Sequence, residues 1–149
     1  MSHEERNTLA NVVAGLLVYA YFLMQVWPMF HDGTSTAPDG VMLWARVVIW
    51  IVPVGILAVI VAIILASILA AIVTGERQGW FMADERDREI EMKGLATMAV
   101  LASFGFLLSV GLLAWGVSAF TAFNIAFFSF AAGSLAGDIT RLWLYRHWG

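Results

Sequence analysis

Four long apolar stretches, separated by short polar segments, are the main pattern along this chain. They cover residues 8–30, 47–73, 95–115 and 119–137, and none has a charged residue in its interior. A helix needs about 20 apolar residues to cross the hydrocarbon core of a bilayer, whereas a helix on a soluble core shows only one apolar stripe. The pattern therefore predicts an all-α integral membrane protein with four transmembrane helices.

The polar segments set the connections between these helices. Residues 31–40 are rich in Gly, Pro, Asp and Thr, which is typical of a loop. Residues 116–118 are so few that helices three and four must form a hairpin. We expect one domain, an antiparallel four-helix bundle, with membrane helices over residues 8–30, 41–74, 84–115 and 119–140, a loop over 75–83 and a tail over 141–149.

Orientation follows from the basic residues, because Lys and Arg near helix ends are retained on the cytoplasmic side of the membrane. Only Arg46 lies on one side of the predicted bundle. The other seven lie on the opposite side: Arg6, Arg77, Arg86, Arg88, Lys93, Arg141 and Arg146. Both termini are therefore expected in the cytoplasm.

Composition excludes several classes of function. The chain is 61% hydrophobic and 13% charged and has no cysteine, which removes disulfides and thiolate sites. Its few basic residues form no patch suited to nucleic acid. The histidines, His3, His31 and His147, lie outside the apolar stretches and cannot form a bis-His haem site within them. We expect no catalytic residue, no metal and no cofactor.

The segment before helix three concentrates most of the charge. Asp84 is a good N-cap, and a carboxylate at Asp87 suits the first helical turn. A continuous helix should run from Asp84 into the membrane, so that helix three extends into the cytoplasm. We interpret this segment as a partner-docking surface formed by Asp84, Glu85, Arg86, Asp87, Arg88, Glu89, Glu91 and Lys93; a solvated helix extension or a divalent-cation site is the alternative.

Small residues recur every fourth position in two helices, which lets helix backbones approach closely in lipid. Helix two carries Ala58, Ala62, Ala66 and Ala70, and helix four carries Ser129, Gly133 and Gly137. Both rows are interpreted as helix-packing positions, either inside the bundle or between copies of the chain.

A few polar residues lie in or near the apolar stretches. Gln25 and Asn124 lie at a similar depth, where their amides can hydrogen-bond or line a shallow outer cavity. Asp138 and Arg141 are spaced to pair across one helical turn, and we expect them to be solvated at the inner interface. Trp50 lies inside helix two without an evident role.

The charged segment resembles an uncharacterised family of small predicted prokaryotic membrane proteins, which carry a D-E-R motif before their third hydrophobic segment. The matching residues are Asp84, Glu85, Arg86, Ile90 and Lys93. The resemblance implies the topology and the cellular setting, the cytoplasmic (inner) membrane of a prokaryotic cell, and it implies no activity.

Together these features favour a non-enzymatic membrane scaffold, accessory subunit or regulatory module. Its expected partners are the lipid bilayer, a second copy of the chain, or a membrane or cytoplasmic protein, and not nucleic acid. A small oligomeric channel or exporter is the alternative, with its path lined by polar residues such as Gln25, Arg46 and Asn124.

Overall fold

The structure is a computed structural model that describes residues 3–74 and 85–147. In these residues the chain forms four long helices and one short 3-10 turn and has no strand. The helices are α1, His3–His31; α2, Gly40–Thr74; α3, Glu85–Ala114; and α4, Ala119–His147. All four are long and apolar enough to cross a membrane, which confirms the prediction of a multi-pass all-α membrane protein.

The observed helix ends differ from the predicted ones at both ends of the chain. Helix α1 begins at His3, five residues before the predicted start, and α4 continues to His147 through what was predicted to be a tail. No Gly or Pro interrupts residues 138–147, and the basic side chains of Arg146 and His147 in the last turn suit the helix dipole. The predicted tail is therefore a helix wherever it is described.

Helix α4 is the centre of the packing. It packs against α3 on one face and against α1 on another, and α1 in turn packs against α2. Among the described residues α2 and α3 share no interface beyond isolated contacts. Helices α1, α2 and α4 therefore form one group, in which Trp44 of α2 reaches α4, and α3 packs on the outer side of α4.

The connection between α3 and α4 is a tight turn with both helix ends capped. Gly116 has φ of 85°, the left-handed conformation that ends many helices, and its N–H donates to Leu113 O at 3.0 Å while Val117 N–H donates to Leu112 O. Ser118 Oγ then accepts the N–H of Thr121 at 3.3 Å and caps α4. Backbone groups at the end of α3 and at the start of α4 thus find hydrogen-bond partners within this short connection.

An aromatic core joins α1, α2 and α4. Its buried residues are Phe22, Val26, Ile51 and Phe120. The Phe22 ring lies 4.1 Å, centroid to centroid, from Phe127, and it meets Phe128 edge-on at 5.4 Å. This core fixes α1 and α2 on the first half of α4.

The loop after α1 is held by its own polar groups. Gly33 has φ of 84° and leads into the 3-10 turn Thr34–Thr36. The N–H of Thr34 donates to Asp32 Oδ1 at 2.9 Å. Hydrogen bonds from the Thr34 side chain and backbone lower the pKa of the exposed Asp32 carboxyl below its ordinary value, because they favour the charged form.

Candidate functional site

The charged segment forms the first turns of α3. Asp84, the predicted N-cap, lies outside the described residues. Glu85, Arg86, Arg88, Glu89 and Glu91 are exposed, whereas Asp87 and Lys93 are half-buried. Lys93 Nζ lies 3.0 Å from Glu89 Oε1, the predicted i,i+4 pair.

One apolar side chain holds this charged turn in place. Ile90 is fully buried, and it begins the stripe of buried residues that continues along α3 through Gly94, Ala102, Gly105 and Ser109. The charged side chains therefore belong to a helix turn that is already packed on the protein, not to a free arm.

Glycines allow α3 and α4 to approach closely along this stripe. A Cβ on Gly137 would lie 2.7 Å from the carbonyl oxygen of Gly94, and a Cβ on Gly133 would lie 2.9 Å from that of Met98. A Cβ on Gly105 would collide with the Ser129 side chain. These contacts form the α3–α4 seam, which contains all three small residues of α4 that the sequence singled out.

The alanine row of α2 lies on a different interface. Ala58, Ala62 and Ala66 are half-buried, and the side chain of Ala70 lies outside the described residues. A Cβ on Gly55, on the same face, would lie 3.8 Å from Val18 of α1. The alanine row therefore lies on the face of α2 that is turned toward α1. Trp50 lies on another face of α2 and is 70% exposed.

Asn124 is bound to α2 and not to Gln25. The indole N–H of Trp44 donates to Asn124 Oδ1 at 3.1 Å, and Asn124 Nδ2 donates to Phe120 O at 2.8 Å. Asn124 is buried and Gln25 is exposed. The hydrogen bond between the two amides, which their similar depth made possible, is therefore not formed, because Gln25 is exposed and Trp44 occupies the Asn124 oxygen.

A polar cavity opens near the other end of the protein. It has a volume of about 320 Å³ and lies between α1, α2 and α4. Gly15 of α1 and Gly55 of α2 border it, and Asn11, Tyr19, Ser134, Asp138 and Arg141 supply its polar lining.

Asp138 and Arg141 form an ion pair at this cavity. Arg141 Nη1 lies 2.6 Å from Asp138 Oδ1, as their spacing predicts. Asp138 is only 7% exposed, so the expectation of solvated interface charges is wrong for this carboxylate. The packing of α1 explains the difference, because its residues 11–19 lie beside Asp138 and cover this part of α4.

Sequence reasoning missed the contribution of α1 to this cavity. Asn11, Gly15 and Tyr19 recur at helical spacing on one face of α1 and line the cavity together. Their spacing was the available signal, but an isolated Asn and Tyr in an apolar stretch gave no reason to connect them with Asp138.

The first turns of α1 and the last turn of α4 meet. Arg146 Nε lies 3.1 Å from Glu5 Oε1, and the Glu5 side chain is 13% exposed. Gly94 near the start of α3 also contacts Gly137 of α4. The start of α1, the start of α3 and the end of α4 thus share one end of the protein. No group of three or more His, Asp or Glu side chains suited to a metal occurs among residues 3–74 and 85–147.

Comparisons with protein-family models, with curated proteins and with solved structures find no match to this chain. The resemblance to a family of small prokaryotic membrane proteins therefore stays a prediction.

Proposed function

We propose that the chain is a non-enzymatic module of the prokaryotic cytoplasmic membrane that recruits a partner protein through the charged first turns of α3. In this proposal the four helices cross the membrane alternately as an antiparallel assembly, both termini lie in the cytoplasm, and α3 extends beyond the membrane surface. The observation that carries the proposal is that exposed charges occupy a helix turn anchored by the buried Ile90. A surface that is ordered before binding loses less conformational entropy when a partner docks.

The distribution of charge supports this orientation. The end of the protein that contains Glu5, the start of α3 and Arg146 also holds most of the basic residues. Arg46 lies near the other end, two residues from Trp44. Basic residues near helix ends are retained in the cytoplasm. A reporter that is active only in the cytoplasm should therefore be active when it is fused to the C-terminus.

Site-specific crosslinking in native membranes tests the docking role. A photoreactive residue is placed at position 88, in the charged turn, and for comparison at position 115, where Trp115 is 88% exposed at the other end of α3. We expect a defined crosslinked protein from position 88 only, and its loss when Glu85 and Arg86 are both changed to Gln. The matched control is Arg146→Gln, which neutralises an exposed charge at the same end outside the docking surface.

The reasoning fails if position 88 gives no defined product while the protein is inserted and folded. It also fails if the product persists after Glu85 and Arg86 are neutralised, because the charges would then have no part in recognition.

A small oligomeric channel or exporter is the second candidate, and the unpartnered face of α2 favours it. Ile49, Trp50 and Ile72 are about 70% exposed on a helix that packs mainly against α1. A second copy of the chain on this face would enclose a path that the four helices of one chain do not. Native mass spectrometry that finds only a monomer in gently solubilised membrane would exclude this candidate, whereas a homo-oligomer would call for a flux assay in liposomes.

A further inference from the structure

The cavity between α1, α2 and α4 changes in polarity along the membrane normal. Asp138, Arg141 and Asn11 lie toward the end where Glu5 meets Arg146. Tyr19 lies eight positions beyond Asn11 in α1, about 12 Å deeper at a rise of ~1.5 Å per residue. The deeper wall consists largely of glycines and aliphatic side chains. A polar end near the surface and an apolar end below it suit a lipid head group and the first part of one acyl chain.

The polar end holds one charge of each sign. The Asp138 and Arg141 side chains are 10% and 22% exposed, so each presents only a small part of its surface to the cavity beside their ion pair. Within the described residues the side-chain oxygen Oδ1 of Asn11 is buried and has no hydrogen-bond partner. Buried polar atoms without a partner are uncommon and mark a place where a water molecule or a ligand completes the structure.

We propose that this cavity binds an inner-leaflet phospholipid whose head group carries a primary ammonium, the phosphoethanolamine class. The ammonium is held by the Asp138 carboxylate and the Asn11 amide, the phosphate by the Arg141 guanidinium, and one acyl chain lies along Gly15 and Gly55. This inference rests on membrane insertion and on the proposed orientation of the helices but not on the docking role of α3, so the docking role and the lipid site can fail separately.

The head-group chemistry distinguishes this lipid from the other common ones. An ethanolamine ammonium has three N–H donors for carboxylate and amide oxygens, whereas a choline head group has none. A glycerol head group leaves the lipid with net negative charge beside the Asp138 carboxylate. The expected order of retention is therefore phosphatidylethanolamine above both phosphatidylcholine and phosphatidylglycerol.

Native mass spectrometry of the full chain tests the proposal. The protein is reconstituted into nanodiscs with equal amounts of the three lipids, released in mild detergent, and its bound lipids are identified by mass. We expect one phosphatidylethanolamine per chain, preferred over phosphatidylcholine by about tenfold, as one hydrogen bond to a charged group provides. Asp138→Asn, which keeps the shape of the side chain, should bring that ratio close to one.

A second pair of variants tests the proposal even if the Asp138→Asn protein does not fold. Gly55→Leu places a side chain in the cavity and leaves every charge intact; it should abolish lipid retention. Gly111→Leu is the matched control, because a Cβ there meets no heavy atom within 4 Å and the residue does not line the cavity. Equal retention of phosphatidylcholine, preference for phosphatidylglycerol, or retention that survives Gly55→Leu would each overturn the proposal.

Discussion

The α3–α4 seam makes a sharp prediction, because the same substitution should have opposite effects at two glycines of the hairpin. At Gly137 a Cβ would lie 2.7 Å from the carbonyl oxygen of Gly94 and 3.3 Å from Met98 Cβ. The nearest atom belongs to the backbone and cannot rotate away. To restore an ordinary contact of 3.4 Å, the helices must separate by about 0.7 Å at this point. A radial gap of that size forfeits roughly a quarter to a half of each local dispersion contact.

The expected cost follows from these distances. Overpacking of this kind typically costs about 1–3 kcal/mol, and the higher helix propensity of alanine returns up to about 1 kcal/mol. Gly137→Ala should therefore lower the free energy of unfolding by roughly 1–2 kcal/mol. Gly111→Ala should leave it unchanged or raise it by up to about 1 kcal/mol, since a Cβ at Gly111 meets no neighbour within 4 Å.

Reversible unfolding in mixed detergent micelles, followed by circular dichroism, measures both values. The two variants are compared under the same micelle composition, so that general effects of detergent cancel. If Gly137→Ala proved as stable as Gly111→Ala, the close approach of α3 and α4 would not exist in the folded protein, and the interpretation of the seam would have to be abandoned.

Three further predictions concern single interactions. Gly105→Ala should destabilise the protein, because the Ser129 side chain occupies the space that the new Cβ needs. Adding Ser129→Gly to the same chain should therefore recover most of the lost stability. A double-mutant cycle in the same unfolding assay measures the coupling between the two positions. Trp44→Phe removes the indole N–H that donates to a buried amide and should cost about 0.6–2 kcal/mol; an unchanged unfolding midpoint would show that this bond contributes nothing. The Asp32 carboxyl should titrate below its ordinary pKa, and Thr34→Val should raise the pKa toward that value, which NMR titration of the carboxyl carbon can follow. Because the pKa of Asp32 is lower in the folded state, this carboxylate makes a small contribution to stability at neutral pH. The contribution is lost as the pH falls through the folded-state pKa.

The number and type of the helices followed from the sequence because membrane insertion imposes a strong constraint. A spanning helix must be apolar on every face and must satisfy its backbone internally, so four uninterrupted apolar stretches leave little choice. The sequence equally indicated that the charged segment and the apolar stretch after it form one helix. Residues 85–94 contain no Pro and only one Gly, which is the last of them.

The order of the helices and the polar cavity did not follow from the sequence. The small residues of α4 predicted a close contact with another helix, but they could not show which helix. The structure shows that the partner is α3, through Gly94 and Gly105. Likewise Asp138 was placed at the interface by counting residues from the apolar stretch, and its burial depends on α1, which lies more than a hundred residues earlier. Side chains brought together from distant parts of the chain leave no local pattern.

The turn at Gly116 has a consequence for the order in which the protein assembles. The α3–α4 seam closes a connection of only a few residues, whereas the Glu5–Arg146 contact joins positions 141 residues apart. Since the entropy of loop closure grows with the logarithm of loop length, the long closure costs on the order of 3 kcal/mol more than the short one. The hairpin of α3 and α4 can therefore form as an independent unit in the bilayer. We therefore expect the junction between α1 and α4 to form after the hairpin, and a chain with a weakened core to stop before that step.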